Sequence, residues 1–276
     1  PQDEARWGFE VVEQSLWHAV PAVFRALGDA LTDSGQPGLP LDAAPLHFAS
    51  WMGGDRDGNP RVTAEVTAEV LQLARWMAAD LFLRDVETLN GSLSMTAANE
   101  ALRKQVGDAA EPYRAVLHAL RDDLRATRDW AEGIEPATGR VIRDDRGLIA
   151  PLTLCYRSLV DCGMSAIADG PLLDTLRRAH CFGVTLVRLD VRQNADRHEQ
   201  VFDELTRYYG LDGPAYAAWD ESRRQSFLLT ELANKRPLFP AEWPQSDDVR
   251  EVLETCRVVA DSAGAGISEY IISMAA

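Results

Sequence analysis

Apolar positions recur at steps of three and four along most of this chain, and in three short stretches that rhythm gives way to alternation or to an unbroken apolar run. Over residues 4–33, Val12, Leu16, Val20, Val23, Leu27 and Leu31 share one face of a helix. Pro21 should kink that helix or begin a second one, because it has no N–H to return to the preceding turn. Trp7, Phe9 and Trp17 are expected to be packing residues. Residues 35–45 are rich in glycine and proline and read as a loop. The clearest helix has Val62, Val66, Val70, Leu73, Met77 and Leu81 in one stripe, with Thr63 as its N-cap and Asn90-Gly91 as its stop. Residues 97–132 predict one or two further helices, with Tyr113, Val116, Leu120, Leu124 and Thr127 on one face and a solvated surface at Arg121, Asp122, Asp123, Arg125 and Arg128. A charged, turn-rich loop covers 133–147. Helical patterns return at 150–168, 171–179, 196–209, 220–234 and 246–261.

Strands are expected near 46–51, 184–191 and 270–274. The second is the informative one. Thr185, Val187, Leu189 and Val191 fall on one side, and Arg188, Asp190 and Arg192 on the other, because strand side chains alternate with period two. If both faces are covered, the charged face must be paired or put to use. Pairing of Asp190 with Arg188 accounts for part of it. Arg192, at the strand's exit, is then the candidate for a free guanidinium facing a ligand. Ile271 to Met274 is wholly apolar, as in a sheet covered on both faces. Long helical connections between the strands imply parallel crossovers. The expected fold is a mainly α-helical α/β protein: part of a parallel (β/α) TIM-type barrel with long helical insertions. Trp51 and Arg192 should lie at the same, C-terminal end of neighbouring strands.

The chain has 276 residues and a formal net charge of −15. Without a lysine–arginine cluster, that balance argues against nucleic acid or an anionic membrane as partner. A small anionic substrate needs only two or three aimed arginines. No stretch approaches the roughly 18 to 20 apolar residues of a membrane span, and no signal peptide is visible. Cys155, Cys162, Cys181 and Cys256 form no C-x-x-C pair and read as reduced, mostly buried thiols of a cytoplasmic protein.

The candidate chemistry gathers in Ser50-Trp51-Met52-Gly53-Gly54-Asp55-Arg56-Asp57-Gly58-Asn59-Pro60. Its glycines suit a tight loop or a close approach, and loops at strand ends carry function. A turn needs nothing more than Gly, Asp, Asn and Pro; an indole beside the charges points beyond that. Asp55-x-Asp57-x-Asn59 is not a calcium loop, since Pro60 and Val66 stand where glycine and glutamate are required. No histidine pairs with another histidine or a cysteine at ligand spacing. His198 beside Arg197 is a candidate for anion or acid–base work. The set that remains, Trp51, the loop with Arg56, and Arg192, suits a small ligand with an apolar part and an anionic part.

The same stretch, followed by Val62-Thr63-Ala64-Glu65-Val66-Thr67, resembles the phosphoenolpyruvate carboxylase family. So does the block from Phe182 through Arg188-Leu189-Asp190-Val191-Arg192-Gln193 to Arg197-His198. A third block, Asn234-Lys235-Arg236-Pro237-Leu238 with Tyr270-Ile271-Ile272-Ser273-Met274-Ala275, fits too, and the blocks follow the family's order. The resemblance implies carboxylation of phosphoenolpyruvate by bicarbonate to oxaloacetate and phosphate, through carboxyphosphate and the enolate of pyruvate. It implies Mg2+ or Mn2+ and a homotetramer in the full-length enzyme. It assigns substrate phosphate to Arg192 and the methylene end of the substrate to Trp51, with Arg56 and His198 as further substrate-binding candidates.

The family's Thr-Ala-His-Pro-Thr-Glu segment normally lies upstream of these blocks; its Gly-Arg-Gly loop, catalytic lysine and metal carboxylates lie downstream. None occurs in this chain, and Asn194-Ala195 replaces the usual acidic residue and serine. Residues 1–276 are therefore expected to be a single internal segment of a larger barrel enzyme, binding no metal alone and inactive alone. The alternative is a non-catalytic helical scaffold or interaction module derived from that enzyme.

Overall fold

A computed structural model describes residues 2–211, 213–262 and 266–275. The first 33 residues form one long helical run. Helix α1 (Gln2–Val11) passes through a π turn (Val12–Leu16) into α2 (Trp17–Asp33). Pro21 neither ends nor restarts it. The carbonyl that Pro21 cannot satisfy, that of Trp17, accepts the Nε–H of Arg178 at 2.7 Å, and Arg178 is itself paired with Asp85 at 2.8 Å.

The π turn also corrects the expected stripe. Phe9, Val12, Trp17, Val20 and Phe24 are buried, whereas Val23 and Leu27 are exposed. The step from Val12 to Trp17 is five residues instead of three or four, because a π turn inserts one residue and rotates everything after it. Trp7, expected to pack, is 75% exposed.

Helix α3 (Ala64–Ser92) starts as expected, with the Thr63 side chain accepting from Val66 N. It runs through Asn90-Gly91 and ends just beyond them. Arg114 Nε binds the Asn90 carbonyl at 2.8 Å and Leu93 is buried past the helix end, so packing overrides the local stop signal. Then come α4 (Glu100–Val106), α5 (Pro112–Ala131), α6 (Asp145–Asp161), the short α7 (Ser165–Ile167) and α8 (Leu173–Phe182). Tyr113, Val116, Leu120, Leu124 and Thr127 of α5 are all buried, as the spacing predicts. One large core joins these helices. At its centre Trp17 meets Phe82 edge-on at 4.8 Å and stacks on Phe182 at 5.3 Å. Cys155 and Cys181 are buried free thiols, pushed up to about 12 and about 11 by that burial. Cys256 is exposed, against expectation.

Among the described residues the sheet has three parallel strands, β1 (Ala49–Ser50), β2 (Arg188–Asn194) and β3 (Ile267–Ser273), in the order β1-β2-β3. β2 begins four residues later than its composition suggests. Residues 183–185 form a tight 3-10 turn and Leu186 takes φ +58°, so Thr185 and Val187 do not join the pleat. Period two still governs the strand itself: Leu189, Val191 and Gln193 are buried, while Asp190 and Arg192 are half-buried on the opposite side. Helices α9 (Ala195–Tyr208), α10 (Glu221–Ala233) and α11 (Asp247–Asp261) connect β2 to β3. Val258, Val259 and Ile267 pack on Leu71, Leu189 and Val191 beneath the sheet. β3 is not covered on both faces as expected. It is an outer strand, and Ile271, Ile272 and Met274 are exposed.

The protein is thus mainly helical with a small three-stranded parallel sheet. Thr63→Ala removes the oxygen that satisfies the first turn of α3, and should lower stability by about 1 kcal/mol. Urea unfolding followed by circular dichroism checks it, with no loss at all as the contrary result.

Candidate functional site

The loop leaving β1 turns back across the C-terminal half of β2. Arg192 N donates to Gly54 O at 2.9 Å and Arg56 N donates to Arg192 O at 3.0 Å, adding Asp55 to the sheet as a parallel bridge. No side chain fits between the two backbones. A Cβ on Gly54 would sit 2.1 Å from the carbonyl oxygen of Asp190. Gly53, at φ +82°, also meets α3, with Val70 Cγ2 2.6 Å from where its Cβ would be.

The three charged residues of the loop divide between two directions. Arg56 goes into the protein and is only 8% exposed. Its Nη1 donates to Gly54 O at 3.1 Å and its Nη2 to Thr67 Oγ1 at 2.7 Å; Thr67 Oγ1 in turn donates to Gly53 O at 2.7 Å. Burial pulls this guanidinium below its ordinary pKa, opposed by the carboxylate of Glu251 3.9 Å from Nε. Arg56 is a strut under the loop, because all its hydrogen bonds end on the loop and on α3.

Asp55 and Asp57 point the other way, to Arg192. Asp57 Oδ2 lies 2.6 Å from Nη2 and Asp55 Oδ2 lies 3.8 Å from Nη1. Arg192 is therefore not the wholly free guanidinium expected. Its Nε and Nη1 make no hydrogen bond among the described residues, and the side chain is one-third exposed. Asp190 does not pair with Arg188, which is exposed at the start of β2. Its Oδ2 accepts Trp51 Nε1–H at 3.1 Å instead, because the indole reaches across from the exit of β1. Asp190 Oδ1 is buried without a hydrogen-bond partner among the described residues, and Trp51 remains 59% exposed.

His198 sits apart from this cluster. Its Nδ1 is 3.0 Å from the Asn194 carbonyl and its Nε2 is 2.9 Å from the Tyr270 hydroxyl. A carbonyl only accepts, so Nδ1 donates to Asn194, and the second nitrogen meets the Tyr270 hydroxyl. Burial raises the Tyr270 hydroxyl pKa. His198 therefore ties the start of α9 to β3. Asn194 caps α9, its side chain accepting from Asp196 N at 2.9 Å.

The structure thus brings together Trp51, Asp190, Arg192, Asp55 and Asp57, and leaves Arg56 and His198 in supporting positions. The carboxylates are the members that sequence reasoning missed. Their signal was the Asp-Arg-Asp alternation, which in a chain crossing a strand sends residues 55 and 57 to one side and 56 to the other. A cavity of about 1170 Å³ lies elsewhere, among α4, α5 and α6, and none of these residues lines it.

Polar side chains gathered toward the carboxyl ends of parallel strands are the layout of α/β enzymes. Within that class, the family model for phosphoenolpyruvate carboxylase matches residues 1–276, and the chain belongs to this family. It is similar to phosphoenolpyruvate carboxylases of Pseudomonas putida, 60% identical over 279 residues, of Pseudomonas syringae, 57% identical over 279, and of Hahella chejuensis, 53% identical over 277. These alignments cover 99% or more of the chain and about a third of each relative: 32%, 32% and 31%.

Gly54→Ala should cost about 3 kcal/mol, since the new methyl meets strand backbone that cannot give way. Gly58→Ala has φ +71° but open space around it and should cost only about 1 kcal/mol. Thermal melts of the two variants, compared side by side, test the close approach; equal losses would remove it.

Proposed function

We propose that the full-length protein carrying this segment carboxylates phosphoenolpyruvate with bicarbonate to give oxaloacetate and phosphate, and that this segment supplies one wall of the substrate pocket. One observation supports the reading beyond family membership: Trp51 leaves β1, Arg192 lies in the C-terminal half of its parallel neighbour β2, and Trp51 is hydrogen-bonded to Asp190, on the same face of β2 as Arg192. The open Nε and Nη1 of Arg192 can grip substrate phosphate, and a guanidinium stabilises the negative charge that shifts as a phosphoryl group leaves. The exposed face of Trp51 can cover the methylene carbon and keep water from the enolate.

The divalent cation would supply further charge stabilisation at the phosphate and the enolate oxygen. The residues of this segment do not fit it. No three His, Cys, Asp or Glu side chains converge among the described residues, and Asp55 and Asp57 are turned to Arg192. The cation's ligands are assigned to the remaining two-thirds of the polypeptide, and the roles of Arg192 and Trp51 do not run through it.

The same division accounts for the sheet. Three parallel strands with a bare apolar outer strand fit part of a (β/α) barrel completed by strands from elsewhere in the chain. Assembly as a homotetramer and residence in the cytoplasm complete the proposal. No helix among the described residues is long and apolar enough to cross a membrane.

Assay of the full-length protein with phosphoenolpyruvate, bicarbonate and magnesium, coupled to oxaloacetate reduction, tests this reading. Arg192→Ala should lower kcat/KM by roughly a hundredfold or more, because about 3 kcal/mol of charge stabilisation is lost and each ~1.4 kcal/mol is tenfold. Arg188→Ala, on the same strand but solvent-facing, should leave activity and Tm nearly unchanged. Residues 1–276 expressed alone should show no turnover above a blank. Equal losses in the two arginine variants, or no oxaloacetate from the full-length protein, would overturn the reading.

A further inference from the structure

Arg192 meets two carboxylates where a single counter-charge would neutralise it, and they hold it unequally. Asp57 is hydrogen-bonded to Nη2 at 2.6 Å. Asp55, at 3.8 Å from Nη1, is too distant for a hydrogen bond. Its other oxygen accepts the backbone N–H of Asp57 at 3.0 Å, an Asx turn that fixes the backbone from which the Asp57 carboxylate projects. That backbone is fixed again from below, where Arg56 Nη1 and Arg192 N both donate to Gly54 O.

We propose that Asp57 is a positioning residue for Arg192: it locks the guanidinium by one nitrogen so that Nε and Nη1 are presented, already ordered, to the phosphate of the substrate. The proposal rests on the carboxylase reading above. An arginine side chain carries large rotamer entropy, and a contact made in advance removes that cost from the binding step. A carboxylate beside an anion-binding arginine also draws down its positive potential, which opposes binding. Geometry decides which effect wins. Asp57 takes only Nη2, the donors left over are the open ones, and the pair is about one-third exposed on both sides, so its charge is screened by water while its geometry is not.

The test is a double-substitution cycle in the full-length protein. Asp57→Ala should raise KM for phosphoenolpyruvate about tenfold, as misplaced binding groups do, and leave KM for bicarbonate unaltered. Asp57→Asn, which keeps an acceptor oxygen in the same place, should recover most of the loss and guards against a folding defect in the alanine variant. With Arg192→Ala already present, Asp57→Ala should make no further difference. A fall or no change in KM for phosphoenolpyruvate on Asp57→Ala, or an undiminished effect without Arg192, would overturn the positioning role. Calorimetric binding of inorganic phosphate to the same variants separates the two readings. Turnover without coupling between the substitutions counts against Asp57 alone. Phosphate binding that depends on Asp57 only when Arg192 is present, in a protein that makes no oxaloacetate, counts against the carboxylase reading alone.

Discussion

Everything at the open edge of this sheet depends on two backbones lying against each other with nothing between them. The Gly54 carbonyl is the meeting point. It accepts the backbone N–H of Arg192 from the strand and Nη1 of Arg56 from below, and the missing Cβ lets it come that close to Asp190. Two hydrogen bonds to one carbonyl fix the height of the loop over β2, and that height sets which side chains can reach Arg192. Asp55 and Asp57 reach it because they flank the one residue that turns inward.

Arg56 shows how a buried charge can be tolerated in such a place. Its partners are mostly uncharged, a carbonyl and a hydroxyl, with Glu251 at the edge of ion-pair distance. Glu251 is shared: its Oε1 also accepts the backbone N–H of Ala64 at the start of α3, at 2.6 Å, where a negative charge is favoured by the helix dipole. One carboxylate on α11 thus steadies a guanidinium and a helix N-terminus together, joining α11, α3 and the loop beneath the strand exits. Charge that cannot be spread to water is spread through hydrogen bonds instead.

Much of this is legible in the sequence, for definable reasons. Helices with a single buried face, such as α5 with Tyr113, Val116, Leu120, Leu124 and Thr127, follow from period alone. The alternation in β2 and the placing of Trp51 and Arg192 at one end of parallel neighbours follow from strand geometry. Partners are not legible. Asp190 could bond Arg188, Arg192 or Trp51 as far as spacing goes, and only the crossing of the loop selects Trp51. Arg56 reads in sequence like any loop arginine; its burial depends on Thr67 and Glu251, contributed by α3 and α11. The exposure of Ile271 and Ile272 along β3 likewise lies beyond any single-segment pattern, since the pattern describes a strand and not what covers it.

The five-residue step in the first helix has a consequence of its own. A π turn behaves as a one-residue insertion written into a helix without breaking it, so the two halves keep separate phases. The first half is phased by Phe9 and Val12, the second by Trp17, Val20 and Phe24. Removing one residue from 12–16 would return the run to a single phase and turn Val23 and Leu27 toward the interior. Trp17 would leave its place between Phe82 and Phe182, and the carbonyl held by Arg178 would be carried away with it. In length as well as in composition, this stretch is tuned to a tolerance of one residue.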